Sequence, residues 1–287
     1  MSHSEPEGFS ADRAMRFAQL AGAACCSAAS LEPWNCGGKC VAHMERPVHV
    51  CPGSSTQAYI GAWAGRGLVV FEGTKQFSSM IQDLRAWKET TPWETCSGCY
   101  VHAGFLDEWL SLQACVMDKL RHIGSGRGSK IRVAGHSLGG AVGSLAMLAL
   151  TSSGWKISEA YSFGQPRVGD ANFSDALGLA VNGSAVFRVT HHKDPVPHVP
   201  PEDFGFTHIA VPEAFFDGAP PAYVLCTEPE STDCSGQYSD VLDDVLLNSE
   251  DHMDYMGQNT SSAGCSSQQG HLAQLAIGDS TGGRLIV

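Results

Sequence analysis

Residues 131–140 read IRVAGHSLGG and decide the fold. A short β-branched run ends in Gly-His-Ser-Leu-Gly, and an apolar stretch rich in Ala and Leu follows over residues 141–150. This order of strand, sharp turn and helix matches G-x-S-x-G, which exposes a serine at the C-terminal end of a strand. The glycines keep neighbouring side chains small enough for strand and helix to pass closely. We therefore expect Ser137 to be a nucleophile; the alternative is a Gly-rich β-α turn around a buried serine.

Strand and helix patterns alternate on both sides of this turn. That alternation predicts an α/β fold with a mostly parallel central sheet and helices on both faces. The chain has 287 residues, which suits one large α/β domain. We expect a flexible N-terminus over residues 1–10, a single domain over residues 11–265 and a loosely attached tail over residues 266–287.

Individual elements are predicted from the spacing of apolar residues. Residues 11–29 have the pattern of a helix, and residues 58–64 and 67–71 that of a β-hairpin. Residues 30–57 are expected to be rich in loops. Late strands are expected over residues 207–211 and 222–225.

Charge and hydropathy exclude several kinds of partner. The formal net charge is -12, and the chain has no basic cluster. This composition argues against nucleic acid and against anionic membrane surfaces as partners. No stretch of 18 apolar residues is present, so we expect no stable membrane insertion.

The chain has 11 cysteines, many of them in close pairs. We favour disulfides, and hence an oxidising compartment. Zinc or redox chemistry is the alternative for Cys96 and Cys99, but no second C-x-x-C stands at zinc-finger spacing. Because the count is odd, at least one cysteine remains unpaired. Cys115 is our candidate for a buried free cysteine. The N-terminus shows no apolar segment, so no signal peptide is visible.

A nucleophilic serine needs a base, and the base needs a group that orients it. In this kind of fold the acid and then the histidine follow the serine along the chain. Asp194 comes just after a predicted strand, and His252 stands alone in a later predicted loop. Position favours His252 as the base. The residues leave four other histidines open: His191, His192, His198 and His208.

The chain resembles the fungal-type class 3 lipases and their relatives, the type A feruloyl esterases. The resemblance covers about residues 15–265. Besides the turn at Ser137, it rests on VVFEGT (69–74), VHAGF (101–105), YSFGQPRVG (161–169), DPVPHVPP (194–201) and DHMDYMG (251–257). It implies the α/β-hydrolase fold, with Ser137, Asp194 and His252 as the catalytic triad.

The resemblance also implies an oxyanion hole. Its donors would be the N–H of Leu138 and the N–H and hydroxyl of Thr74, because a tetrahedral intermediate needs at least two donors. Thr74 could instead be an N-cap or turn residue. Glu72 departs from the family pattern, since an arginine usually stands there and often helps to hold the lid.

In family lipases the segment after this Ser or Thr is a short amphipathic lid. Here Phe77, Met80, Ile81 and Leu84 follow the i, i+3, i+4, i+7 spacing of one helical face. We expect a mobile lid, although a helix with a core-facing side has the same pattern. Met80 stands where the family often has a tryptophan.

The resemblance sorts the cysteines into pairs. It implies Cys36 with Cys40, Cys96 with Cys99, and Cys226 with Cys234. Cys265 would take either Cys25 or Cys26, and Cys51 the one that remains.

The resulting interpretation is an extracellular serine hydrolase of carboxylic esters, with triacylglycerol as the default substrate. It would act as a monomer on lipid or other esters at an interface, with no metal and no organic cofactor. A feruloyl esterase is the nearest alternative, because Thr74 and the Cys96–Cys99 loop suit it, whereas the amphipathic lid suits a lipase. A phospholipase or galactolipase, and a catalytically silent binding protein, are the further alternatives.

Overall fold

The structure is a computed structural model that describes residues 8–74, 87–218, 220, 222–238, 249–263 and 265. In these ranges the helices are α1 Ala11–Ala23, α2 Ala28–Leu31, α3 Ala103–His122, α4 Leu138–Ser152, α5 Ala171–Ala180 and α6 Ser249–Met253. The strands are β1 Met44–Pro52, β2 Gln57–Trp63, β3 Arg66–Phe71, β4 Lys88–Thr90, β5 Tyr100–His102, β6 Lys130–His136, β7 Lys156–Phe163, β8 Ala185–His191, β9 Glu213–Phe216, β10 Val224–Cys226, β11 Asp254–Tyr255 and β12 Gln258–Asn259.

A central sheet joins eight of the described strands in the order β1-β2-β3-β6-β7-β8-β9-β10. The five middle strands, from β3 to β9, run parallel, and the outer strands on each side are antiparallel. The mostly parallel sheet predicted from the sequence is therefore confirmed. Because parallel strands end at one edge, the residues after β3, β6, β7 and β8 meet there.

Helices cover both faces of the sheet, as alternating side chains require. On β3, Val69 and Phe71 belong to the hydrophobic cluster that contains α3 and α4. Leu68 and Val70 of the same strand point to the opposite cluster, which contains α1.

Two sequence expectations for the first 60 residues are corrected by the structure. The first helix ends at Ala23 rather than at residue 29, and the Gln57 amide donates to the carbonyls of Ala24 and Cys26 beyond its end. Strand β1 lies inside the stretch expected to be loops. Its Pro47, which has no N–H, falls in a register shift at the edge of the sheet, where proline is tolerated.

The strand predicted over residues 207–211 is absent from the described residues there. That segment makes one isolated bridge, from Thr207 to Gly169. Its Ile209 and Val211 are buried in the helix-side cluster. Burial against the core, and not pairing in a sheet, explains the apolar pattern.

Ten of the 11 cysteines form disulfides, which confirms the expected pairs Cys36–Cys40, Cys96–Cys99 and Cys226–Cys234. Cys26 takes Cys265, one of the two pairings expected for that cysteine. The assignment of Cys115 as a free thiol is wrong, because Cys115 pairs with Cys51. Cys25 is the cysteine outside the five disulfides, and its sulfur donates to the carbonyl of Thr260.

Helices long and apolar enough to cross a membrane are not found in the described part of the chain.

Candidate active site

Ser137 sits at a tight turn between β6 and α4. Its backbone has φ 56° and ψ -128°, a positive φ that residues other than glycine rarely adopt. A Cβ at position 135 would lie 2.1 Å from the carbonyl oxygen of Gly139, and one at position 139 would lie 2.3 Å from that of Phe71. Glycine is therefore required on both sides of the serine, as the sequence pattern predicts.

His252 and Asp194 form a buried hydrogen-bonded pair. Nδ1 of His252 lies 3.0 Å and 2.9 Å from the two carboxylate oxygens of Asp194. Both side chains are 1% exposed. Because a carboxylate only accepts, Nδ1 carries the proton and Nε2 is left as the acceptor, the tautomer that a general base needs.

The Asp194 carboxylate is held in its ionised form. Burial alone would raise its pKa, but the charge of His252 and hydrogen bonds from His252, Tyr255 and the N–H of Val196 lower the pKa below its usual value. The negative charge that orients His252 therefore persists at neutral pH.

Two residues that the sequence did not single out complete this pair. The hydroxyl of Tyr255 donates to Oδ2 of Asp194. A Cβ at Gly164, where φ is +55°, would lie 2.6 Å from Oδ2 of Asp194 and 2.9 Å from Nδ1 of His252. Both residues lie in motifs quoted for the family resemblance, which is the signal that could have found them.

The two candidate oxyanion donors belong to different segments that meet near Ser137. Leu138 is the first residue of α4, so its N–H is among those without a partner inside the helix. Thr74 follows Gly73, where a Cβ would lie 3.4 Å from Cβ of Ser137. Thr74 and His252 also line a cavity of about 110 Å³. Glycine at position 73 thus lets the strand end approach the candidate nucleophile.

The other candidate histidines have different surroundings. Nδ1 of His191 and of His192 lie 3.1 Å and 2.9 Å from the backbone and side-chain oxygens of Asp251. His198 and His208 are buried, and burial together with nearby arginines lowers the pKa of each. Among the described histidines, His252 is the one hydrogen-bonded to Asp194.

The predicted lid residues Phe77, Met80, Ile81 and Leu84 lie outside the described residues. A larger cavity, of about 990 Å³, opens elsewhere, beside Lys130, Trp155 and Lys156. Lys130 and Lys156 begin β6 and β7, so this cavity lies at the edge of the sheet opposite to Ser137. It is separate from the candidate site.

The chain is similar to known lipases in sequence and in structure. The family model described as "Lipase (class 3)" matches residues 68–204. A lipase from Rhizomucor miehei is 34% identical over 204 residues, which cover 67% of this chain and 52% of that protein. A secreted mono- and diacylglycerol lipase from Fusarium solani is 33% identical over 198 residues, covering 66% of this chain and 58% of that protein. The chain thus spans about half the length of these curated relatives.

Structural similarity extends over most of the chain. The solved Rhizomucor miehei triacylglyceride lipase superposes with a TM-score of 0.69 at 28% identity, and the match covers 89% of this chain and 96% of that one. The α/β-hydrolase fold expected from the sequence is therefore confirmed. From the matching family model, the identity to known lipases and the shared fold, we conclude that the chain belongs to the class 3 lipase family.

Proposed function

We propose that the chain is a secreted serine hydrolase that cleaves carboxylic esters of acylglycerols. The observation that carries the proposal is the buried His252–Asp194 pair at the same sheet edge as a serine held at positive φ between β6 and α4. A serine, a base with an unprotonated Nε2 and an ionised carboxylate are the parts that acyl transfer needs.

In the proposed reaction, Oγ of Ser137 attacks the ester carbonyl while Nε2 of His252 takes the hydroxyl proton. The same proton is then given to the leaving alcohol, which produces an acyl-enzyme on Ser137. Water, deprotonated by His252, hydrolyses that ester and restores the serine. The N–H of Leu138 and Thr74 are proposed to donate to the oxyanion, each donor lowering the barrier by roughly 3 kcal/mol.

The names of the relatives support an acylglycerol substrate. The Rhizomucor protein is named a triacylglyceride lipase, and the Fusarium protein is named a secreted mono- and diacylglycerol lipase. We take triacylglycerol as the first substrate to test. The apolar stripe of Phe77, Met80, Ile81 and Leu84 is proposed, on its sequence pattern alone, to meet the lipid surface. Five disulfides support an extracellular site of action.

Replacing the proposed nucleophile is the direct test. Ser137→Ala should lower hydrolysis of emulsified triolein and of p-nitrophenyl butyrate by about 10⁴-fold or more, because the acyl-enzyme cannot form. Ser158→Ala is the matched control, since Ser158 bonds to the carbonyl of Ile131 in the sheet and lies outside the candidate site. Circular dichroism checks that both variants fold. Turnover by Ser137→Ala near that of the control would reject the proposal.

A feruloyl esterase is the second candidate, favoured by the Cys96–Cys99 disulfide loop. Methyl ferulate in the same assay separates the two. A kcat/KM for methyl ferulate above that for tributyrin would move the assignment to the esterase. Turnover of diolein and monoolein relative to triolein then fixes the class of acylglycerol.

A further inference from the structure

The proposed base sits at the end of a very short helix. Helix α6 has five residues and ends at Met253, so its last carbonyls have no partner within the helix. Three consecutive carbonyls, of Asp251, His252 and Met253, each accept a hydrogen bond from another element. The donors are Nδ1 of His191 at 3.1 Å, Nε2 of His136 at 2.7 Å, and the N–H of Thr260 at 2.9 Å.

The middle bond of the three joins the base to the nucleophile turn itself. His136 is the residue directly before Ser137, and its ring lies 4.4 Å from the ring of His252. We propose that His136 is a positioning residue, which sets the spacing between Ser137 and His252 by donating from Nε2 to the carbonyl of His252. The inference rests on the proposed function, since it assigns His136 a part in that reaction.

Hydrogen bonds hold the proposed nucleophile and the proposed base at a fixed separation. The N–H of Ser137 bonds to the carbonyl of Phe163 at 2.8 Å, which fixes the turn against β7. His136 ends β6 in the middle of the sheet and is buried. The backbone of His252 is therefore tied to the buried end of a central strand. A shift of about 1 Å between reacting groups is enough to slow catalysis by about a hundredfold.

His136 has to be a neutral donor in this role. A carbonyl only accepts, so Nε2 carries the proton. Burial, and next the charge of His252, lower the pKa of His136 to about 3, so that its ring stays uncharged at working pH. The other ionisable groups that face it are Asp194, Lys39 and the Tyr255 ring. A neutral ring adds no positive charge beside His252 when that residue takes the proton of Ser137.

Thr260 also holds the end of this helix. Its hydroxyl donates to the carbonyl of Met253 at 3.1 Å and lies 3.2 Å from Nε2 of His136. Lys39 keeps this strand end in place by donating to the carbonyls of Asn259 and Ser261. Thr260 supports the end of α6 at Met253, whereas His136, the residue beside Ser137, binds the carbonyl of His252 itself.

The test compares side chains at position 136 that differ in whether they can donate a hydrogen bond and in how far the donor extends from the backbone. His136→Leu removes the donor, His136→Gln keeps a neutral N–H donor at about the reach of Nε2, and His136→Asn keeps the amide but falls short. His208→Leu is the matched control, because His208 is also a buried histidine but lies away from the pair. Hydrolysis of p-nitrophenyl butyrate is measured per active site, counted by complete labelling with a fluorescent organophosphonate.

We expect His136→Leu and His136→Asn to lower kcat by about tenfold to a hundredfold, with KM within about twofold of wild type. His136→Gln should recover most of kcat, and His208→Leu should match wild type per labelled site. A purely structural role would lower the number of labelled sites and leave kcat per site unchanged.

Two results overturn the inference: kcat per site of His136→Leu within about twofold of wild type, or equal losses in the Gln and Asn variants. If His136→Leu does not fold, the Gln and Asn pair decides alone. A wild-type protein that hydrolyses no ester would reject the proposed function and this inference together, whereas an active wild type with an equally active Leu variant rejects the inference only.

Discussion

Gly164 shows how little space surrounds the pair of Asp194 and His252. Its backbone is at φ +55°, and the positions around a hypothetical Cβ are taken by the Asp194 carboxylate, the His252 ring and the Tyr255 hydroxyl. All three polar groups are buried, and the His252 ring and the Tyr255 hydroxyl are each hydrogen-bonded to the Asp194 carboxylate. They cannot move apart without losing those bonds, so the glycine is part of the geometry of the site.

Gly164→Ala should therefore lower kcat/KM for p-nitrophenyl butyrate by about a hundredfold, because the added methyl displaces the carboxylate or the imidazole. Gly183→Ala is the control that separates strain from collision. Its φ of +76° is equally unfavourable for alanine, but nothing lies within 4 Å of its Cβ. Equal activity of the two variants would show that the space at Gly164 is not needed.

Residue chemistry along the chain predicted part of the site. The turn at Ser137 was predictable because its glycines and flanking patterns are local. The choice of Asp194 and His252 followed from their order and from the family resemblance. The hydrogen bond from His136 to the His252 carbonyl joins residues 116 positions apart, and no local pattern encodes that contact.

At the scale of elements, contacts between distant parts of the chain could not be predicted for the same reason. Cys51 and Cys115 are 64 residues apart, and the number of possible pairings among many cysteines is too large to resolve without the fold. Strand β1 was not predicted because its prolines and charged residues are unusual in strands. They are tolerated here because β1 pairs along one edge only. Strands β3, β6, β7 and β8 were predictable because apolar, β-branched and aromatic residues are frequent in each of them, whereas the short strand β9 was not predicted.

The Cys51–Cys115 disulfide ties the edge strand β1 to helix α3. Replacing both cysteines with alanine should lower the free energy of unfolding by about 4 kcal/mol, since the crosslink closes a long loop in the unfolded chain. Removing Cys96 and Cys99, only 3 residues apart, should cost about 2 kcal/mol. Non-reducing urea unfolding measures both. Hydrolysis per labelled site should stay at the wild-type rate, because neither disulfide touches the candidate site; a larger loss for the short loop would contradict the account.

At the scale of the whole molecule, several buried groups resist protonation. Burial lowers the pKa of His136 to about 3, and burial with nearby arginines lowers the pKa of His198 and of His208. The pKa of Glu213 is also lowered: burial opposes this, but the Arg188 charge and hydrogen bonds from Ser235 and Thr190 prevail. In all four cases the unfolded chain binds protons more readily than the folded one.

Stability should consequently fall as the pH drops below about 6.5, the pKa of an unfolded histidine. The sign follows because the folded state excludes protons that the unfolded state accepts. Each such histidine contributes at most about 1.4 kcal/mol per pH unit. Urea unfolding at pH 7, 6 and 5 measures the slope, which His208→Gln should flatten. Ser158→Ala, which removes no titrating group, is the control and should leave the slope unchanged. A slope unaffected by His208→Gln would contradict the assignment.

The Cys26–Cys265 disulfide gives the molecule an order of assembly in time. A chain made from its N-terminus offers Ser137 and Asp194 to the growing fold before the ribosome has added the segment with His252. That segment is fastened to Cys26, which follows α1, by a bond that forms only where thiols are oxidised. Under the proposed secretion, the segment that carries the proposed base is fastened only after the chain has left the reducing cytosol. An ester hydrolase of the proposed kind, assembled in this order, would spare the lipids of the cell that makes it.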